Sequence, residues 1–255
     1  MSYRGTMRHD QIALQLYTVR RLAAQDLAGT LGAVAAAGYG AVELAGLPDI
    51  PARHLARLLD TAKLRVVASH EGIERLREDV TAVAERLAEV GCPRVIVPWM
   101  PEEDRRDLDG VRRFAAELDG FAEELERRGM SLGYHNHAFE FATQDGTTIW
   151  DVMLAELSPR VELELDVYWA AVGGRDPAAA IRANPDRIRL LHMKDLAAGD
   201  EPHDAPAGGG VLPFPDIVEA ARSVGVEWYV AEQDEPGDSL VDIGRAFNYL
   251  ADLAR

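Results

Sequence analysis

This 255-residue chain carries 43 acidic residues against 27 basic ones, a formal charge of −16, which argues against nucleic acid or an anionic membrane as its main partner. Hydrophobic residues make up 47% and charged residues 27%, the composition of a soluble globular protein with material for a large core. The single cysteine, Cys92, excludes an internal disulfide and a cysteine-based metal site.

Short apolar runs alternate with longer helical patterns along the chain. The first predicted strand covers 11–16 (QIALQL) and the second 40–44 (GAVEL), after a helix closed by Gly38. The third, 64–69 (LRVVAS), runs into His70. Leu76, Val80, Val83, Leu87 and Val90 then share a helical face that ends at Gly91, where Cys92 reads as a packed thiol. The fourth strand covers 94–98 (RVIVP), and Phe114, Leu118, Phe121 and Leu125 mark a helix that Gly129 ends. The fifth, 130–135 (MSLGYH), leads into Tyr134-His135-Asn136-His137, and the sixth, 161–166 (VELELD), ends on Asp166. Asp176-Pro177 opens a helix before the seventh strand, 187–192 (RIRLLH), which ends on His192. An irregular stretch over 196–214 holds Gly208-Gly209-Gly210, and loops of that length in a compact domain are usually functional or mobile. Pro215-Asp216 starts a helix closed by Gly225, and the eighth strand, 226–232 (VEWYVAE), ends on Glu232.

Runs rich in Val, Ile and Leu read as buried parallel strands, and glycine relieves the left-handed position that often ends a helix. Eight strand–helix units with no linker or composition break predict one α/β domain over 1–255, a closed (β/α)8 TIM barrel. The working residues of such barrels sit at the C-terminal ends of the strands. Those ends here carry His70, His135, Asp166, His192 and Glu232, with Glu43 a weaker member.

Asp166, His192 and Glu232 form a carboxylate–imidazole–carboxylate set suited to one divalent ion, Mn²⁺, Mg²⁺, Zn²⁺ or Fe²⁺. The fourth ligand is expected from strand five. His135 and His137 share a face if strand alternation continues, so His135 coordinates while His137 serves as acid or base, with Glu140 competing for either role. Asn136 and Tyr134 then face the other side. Lys194 suits a developing oxyanion or a substrate hydroxyl, and His70 a substrate contact. Trp169, Trp150, Trp99 and Tyr17 offer flat walls for a sugar ring, although aromatics near strand ends often serve packing. Nucleotide-cradle motifs and the GxSxG elbow are absent.

These pieces together resemble the xylose isomerase-like TIM-barrel superfamily of sugar phosphate isomerases and epimerases. IALQLYTVR, GYGAVEL, YHNHAFEF, ELDVYW, HMKD and EWYVAEQDEP carry the likeness over essentially the whole chain. The resemblance implies one metal, commonly manganese, held by Glu, Asp, His and Glu of strands five to eight. The last three map onto Asp166, His192 and Glu232, whereas His135 stands where the ketose epimerases carry glutamate. The implied chemistry is α-proton abstraction from a keto-sugar or polyol through a metal-bound enediolate, with Glu232 or a histidine of the HNH segment as base. An isomerase or epimerase is the first expectation. The alternative is a lyase or dehydratase acting on an inosose or 3-keto-glycoside, which the loss of the strand-five glutamate leaves room for. Strand five is expected to discriminate, Glu140 at the metal speaking for isomerisation and His135 for elimination. A nuclease of the endonuclease IV type is opposed by the acidity, and a non-catalytic barrel by the intact metal set. The further expectations are a small, unphosphorylated carbohydrate substrate, no nucleic acid or membrane partner, a homodimer at family level, and a cytoplasmic location, since MSYRGTMRHD has no signal-type apolar stretch.

Overall fold

The computed structural model describes residues 6–255. Its centre is a closed barrel of eight strands: β1 (Ile12–Gln15), β2 (Ala41–Leu44), β3 (Arg65–His70), β4 (Arg94–Val97), β5 (Ser131–His135), β6 (Val161–Asp166), β7 (Ile188–Met193) and β8 (Trp228–Ala231). Each is parallel to its neighbours, and β1 closes the ring against both β2 and β8. Helices follow the strands, the longest being Leu108–Glu126 and Ile73–Glu89. The predicted (β/α)8 architecture is therefore present, each strand lying within two residues of its expected position. No helix among the described residues is long and apolar enough to cross a membrane.

The strands present two different faces, because successive side chains alternate sides. Leu14, Val42, Val95, Leu132, Leu163, Leu165 and Leu191 belong to the large cluster that the outer helices cover. Ala13, Ala41, Ala68, Ile96, Leu190 and Val230 form a separate small cluster inside the barrel. Gly133 leaves room for the Ile96 side chain there, since a Cβ would stand 2.6 Å from Cδ1. Two residues further along their strands, the inner positions turn polar: Gln15, Glu43, His70, His135, Asp166, His192 and Glu232. The change from apolar plug to polar rim at the C-terminal ends is what places the chemistry.

Two register breaks interrupt the ladder, between Val42 and Glu43 on β2 and between Leu163 and Glu164 on β6. Such irregularities re-aim side chains, and here each one falls beside a buried glutamate. Helix ends follow the expected punctuation at Gly225, whose φ of 78° is left-handed, but Lys63 takes the same conformation at φ 57° after the helix Ala52–Ala62. The long stretch after β7 is ordered by Asp195, whose carboxylate accepts from the backbone N–H groups of Leu196, Gly208, Gly210 and Leu212.

Candidate metal centre and active site

Adjacent strands deliver the candidate ligands. Asp166 is the last residue of β6 and caps the following helix, its Oδ1 accepting from Tyr168 N at 2.8 Å and Trp169 N at 3.0 Å. That leaves Oδ2, which is buried without a hydrogen-bond partner. His192, paired opposite it in the ladder, puts Nδ1 2.8 Å from Glu232 Oε2. Ligand-type atoms of Asp166, His192 and Glu232 all lie within 4.8 Å of one another. His135 Nε2 lies 4.0 Å from Asp166 Oδ2.

This donor set fits a divalent cation. A buried carboxylate oxygen without a hydrogen bond is costly inside a protein, and here it sits with an imidazole and a second carboxylate. Lys194 lies close by, its Nζ 3.3 Å from Asp166 Oδ2, 2.9 Å from Glu232 Oε2 and 2.8 Å from Asp234 Oδ2.

A second cluster lies behind the first. His70, His135, Glu164 and His192 also bring ligand-type atoms within 4.8 Å of one another. Glu164 Oε2 is 2.7 Å from His70 Nε2, 3.1 Å from His135 Nδ1 and 3.2 Å from His192 Nε2. Glu43 Oε2 lies 2.6 Å from His192 Nε2 and accepts from Gln15 Nε2 at 2.8 Å. His192 therefore turns one nitrogen to the Asp166–Glu232 side and the other to buried carboxylates, the arrangement that fixes tautomer and ring orientation in metal-ligating histidines. Glu164 was absent from the sequence-level candidates. The alternation ELELD, which sets Glu162, Glu164 and Asp166 on one face of β6, was the available signal.

Charge distribution follows from burial. Burial drives Asp166 up to about 6 against the pull of Lys194 and His192, and Glu43 up to about 7 with Glu164 adding to the rise. Burial also opposes ionisation of Glu232, but Lys194 and His192 outweigh it and hold the carboxyl well below its usual range. Glu164 is likewise depressed, burial being overcome by His192 and His70. His137 is lowered to about 4 by burial and by Lys194, so it is neutral near pH 7.

The remaining sequence candidates separate into two groups. Facing a cavity of about 340 Å³ are His70, His135, His137, Lys194, Glu232 and Trp99. Trp169 packs against His137 at a centroid distance of 5.3 Å. Glu140 and Asn136 are turned to other partners. Glu140 is buried, accepting from Tyr134 Oη at 2.6 Å and from His137 N at 2.8 Å. Asn136 is buried against β6, its Oδ1 accepting from Asp166 N at 3.0 Å. Trp150 is buried against Phe141, and Cys92 is a buried thiol pushed up to about 12 by desolvation.

Residues 31–253 match the family described as xylose isomerase-like TIM barrel. The chain belongs to that family. Among solved members, a sugar phosphate isomerase/epimerase from Parabacteroides distasonis shares 26% identity at a TM-score of 0.82, with 96% of each chain covered. The IolI protein, solved with a zinc atom, aligns at a TM-score of 0.74 and 16% identity over 96% of this chain and 98% of its own, a likeness of fold. An inosose dehydratase from Lacticaseibacillus casei is 25% identical over 144 residues, 50% of this chain and 48% of that protein. The chain thus matches over about half the length of that curated relative.

Proposed function

We propose that this xylose isomerase-like barrel is a divalent-metal-dependent enzyme that removes the proton α to the carbonyl of a keto-sugar or polyol-derived ketone. The observation that carries this reading is the grouping of buried Asp166, His192 and Glu232, in which Asp166 Oδ2 makes no hydrogen bond. Asp166, His192 and Glu232 would hold the ion, with His135 as the fourth donor. Manganese heads the candidates, although Mg²⁺, Zn²⁺ and Fe²⁺ share this ligand chemistry. Bound there, the ion supplies Lewis-acid polarisation of the carbonyl.

The chain's own groups do the rest. Glu232, held ionised, accepts the α-proton at a carboxylate oxygen. Lys194, 2.9 Å from that carboxylate, donates to the substrate oxygen on which charge develops. Neutral His137, with Nδ1 lacking a hydrogen-bond partner, exchanges a hydrogen bond with a hydroxyl, and His70 contacts the ring from β3. Returning the proton to the opposite face gives an epimer, and returning it to the neighbouring carbon gives an isomer. Loss of a β-leaving group instead gives elimination. Epimerisation needs a second acid–base group across the substrate. Glu140, the carboxylate that follows the fifth strand, is engaged by Tyr134 and the His137 backbone. That placement speaks against a two-carboxylate epimerisation and leaves isomerisation and elimination open to the same site.

The substrate is read as unphosphorylated, because the one lysine facing the cavity is already ringed by Asp166, Glu232 and Asp234. Incubation of manganese-loaded protein in D₂O with ketoses, inososes and 3-keto-glycosides, followed by proton NMR, tests the reading. Deuterium entry at the carbon α to the ketone is expected in at least one class. No entry in all three, from protein shown by metal analysis to be loaded, removes the proposal.

A further inference from the structure

Two chambers meet at the mouth of the barrel. The polar one, of about 340 Å³, holds Lys194, Glu232 and the histidines. The second, of about 530 Å³, is walled by Trp99, Met100, Pro101, His137, Phe139 and Trp169, and it shares Trp99 and His137 with the first. One face of Phe139 is covered by the Arg105 guanidinium at 3.8 Å, and its ring lies within 8° of parallel to His137 at 6.1 Å, so the open aromatic face here is that of Trp99. Trp99 is 54% exposed at the junction of the chambers, which leaves a large aromatic face for a ligand to cover.

Charge narrows the occupant. Glu74, Glu102 and Glu103 line this chamber against the single guanidinium of Arg105, so an anionic group is disfavoured there. The polar chamber alone falls within the range of about 300–1,000 Å³ usual for small-molecule sites, and a free monosaccharide would leave the aromatic chamber unfilled. We propose that this second chamber receives a neutral aromatic ring joined to the sugar, so that the substrate class is an aryl glycoside in keto form. The inference rests on the proposed function for the sugar half, which occupies the polar chamber, with the glycosidic link passing between Trp99 and His137.

Binding to the manganese-loaded full chain, measured by calorimetry, tests it with three probes: 4-nitrophenyl β-D-glucopyranoside, methyl β-D-glucopyranoside and glucose 1-phosphate. The aryl glucoside is expected to bind about tenfold more tightly than the methyl glucoside, the scale of an added aromatic contact. Trp99→Ala, and Trp99→Leu should the former fold poorly, are expected to shrink that ratio. Equal affinities for aryl and methyl glucosides, a ratio unchanged in a folded Trp99 variant, or tighter binding of glucose 1-phosphate would each overturn the assignment. Deuterium exchange with methyl 3-keto-glucoside reports the sugar half separately. Exchange without aryl preference overturns this inference alone. Aryl preference without exchange in any sugar class leaves the aromatic chamber in place and removes the proton-abstraction reading.

Discussion

Two carboxylate–imidazole clusters share His192 and differ in what surrounds them. In the outer cluster Asp166 keeps a carboxylate oxygen without a hydrogen bond, and Glu232 borders the cavity. In the inner cluster one oxygen of Glu164 is shared by three imidazole nitrogens, and Glu43 is tied to both Gln15 and His192. The side-chain types are the same, so composition does not separate the two. Position does: Glu43 and Glu164 each also keep one oxygen without a hydrogen bond, but neither lines the cavity, whereas Glu232 and Lys194 beside Asp166 do. The outer cluster is thus suited to holding metal and the inner one to fixing the ring of His192.

Asp166→Asn makes the sharpest test of that division. It preserves shape and removes the carboxylate charge, and it should abolish stoichiometric metal binding as read by metal analysis and calorimetry. Retained full occupancy would break the outer cluster's assignment. Glu164→Gln, two residues earlier on the same strand, should only weaken metal affinity, by about 10–100-fold, the usual effect of losing an orienting partner. A loss as complete as in Asp166→Asn would merge the two clusters into one.

Glu164→Gln should also cost about 3–5 kcal/mol in stability, since it leaves buried histidines without their carboxylate. Because folding depresses the Glu164 pKa, its contribution is present above the unfolded carboxylate value of about 4.3 and lost as pH falls through the folded value. Acid unfolding of the metal-free variant should accordingly lose part of its pH dependence below about pH 4. An unchanged acid limb would sink the assignment.

A third and smaller effect compares the rim with a buried group away from the metal. Glu140 is raised to about 7 by burial, against the hydrogen bonds it accepts. The folded state then holds a proton that the unfolded state has released, so stability falls as pH rises from about 4 to about 7. Glu140→Gln removes that proton linkage, about 3 kcal/mol of pH-dependent stability, and should flatten the dependence of the thermal midpoint on pH in this window. The substitution also loses one acceptor, for Tyr134 Oη or the His137 amide. A variant with unaltered slope would show that Glu140 is not the titrating group.

Much of this arrangement was legible along the chain. The strand 161–166 falls where VELELD predicts it, and Asp166, His192 and Glu232 could be picked out because each closes an apolar run. Glu164 was not, because alternation shows that Glu162, Glu164 and Asp166 share a face without showing which residue lies beside histidines from β3, β5 and β7. The extrapolation past His135 reached its limit for a related reason. The chain leaves the strand at Asn136 and turns through a 3₁₀ segment at Phe139–Phe141, so which of His137 and Glu140 lines the cavity depends on a turn and not on strand period.

The order of apolar runs, helix stops and polar strand ends determined the barrel and three members of its candidate site, because periodicity and burial are properties of local sequence. Only the tertiary structure decided which carboxylates border the cavity and which are buried against histidines. Closure of the ring brings β2, β3, β5, β6 and β7 side chains to one centre, and the register breaks beside Glu43 and Glu164 put those two acids within reach of His192. Distances between residues more than a hundred positions apart depend on that closure, and no local pattern carries them.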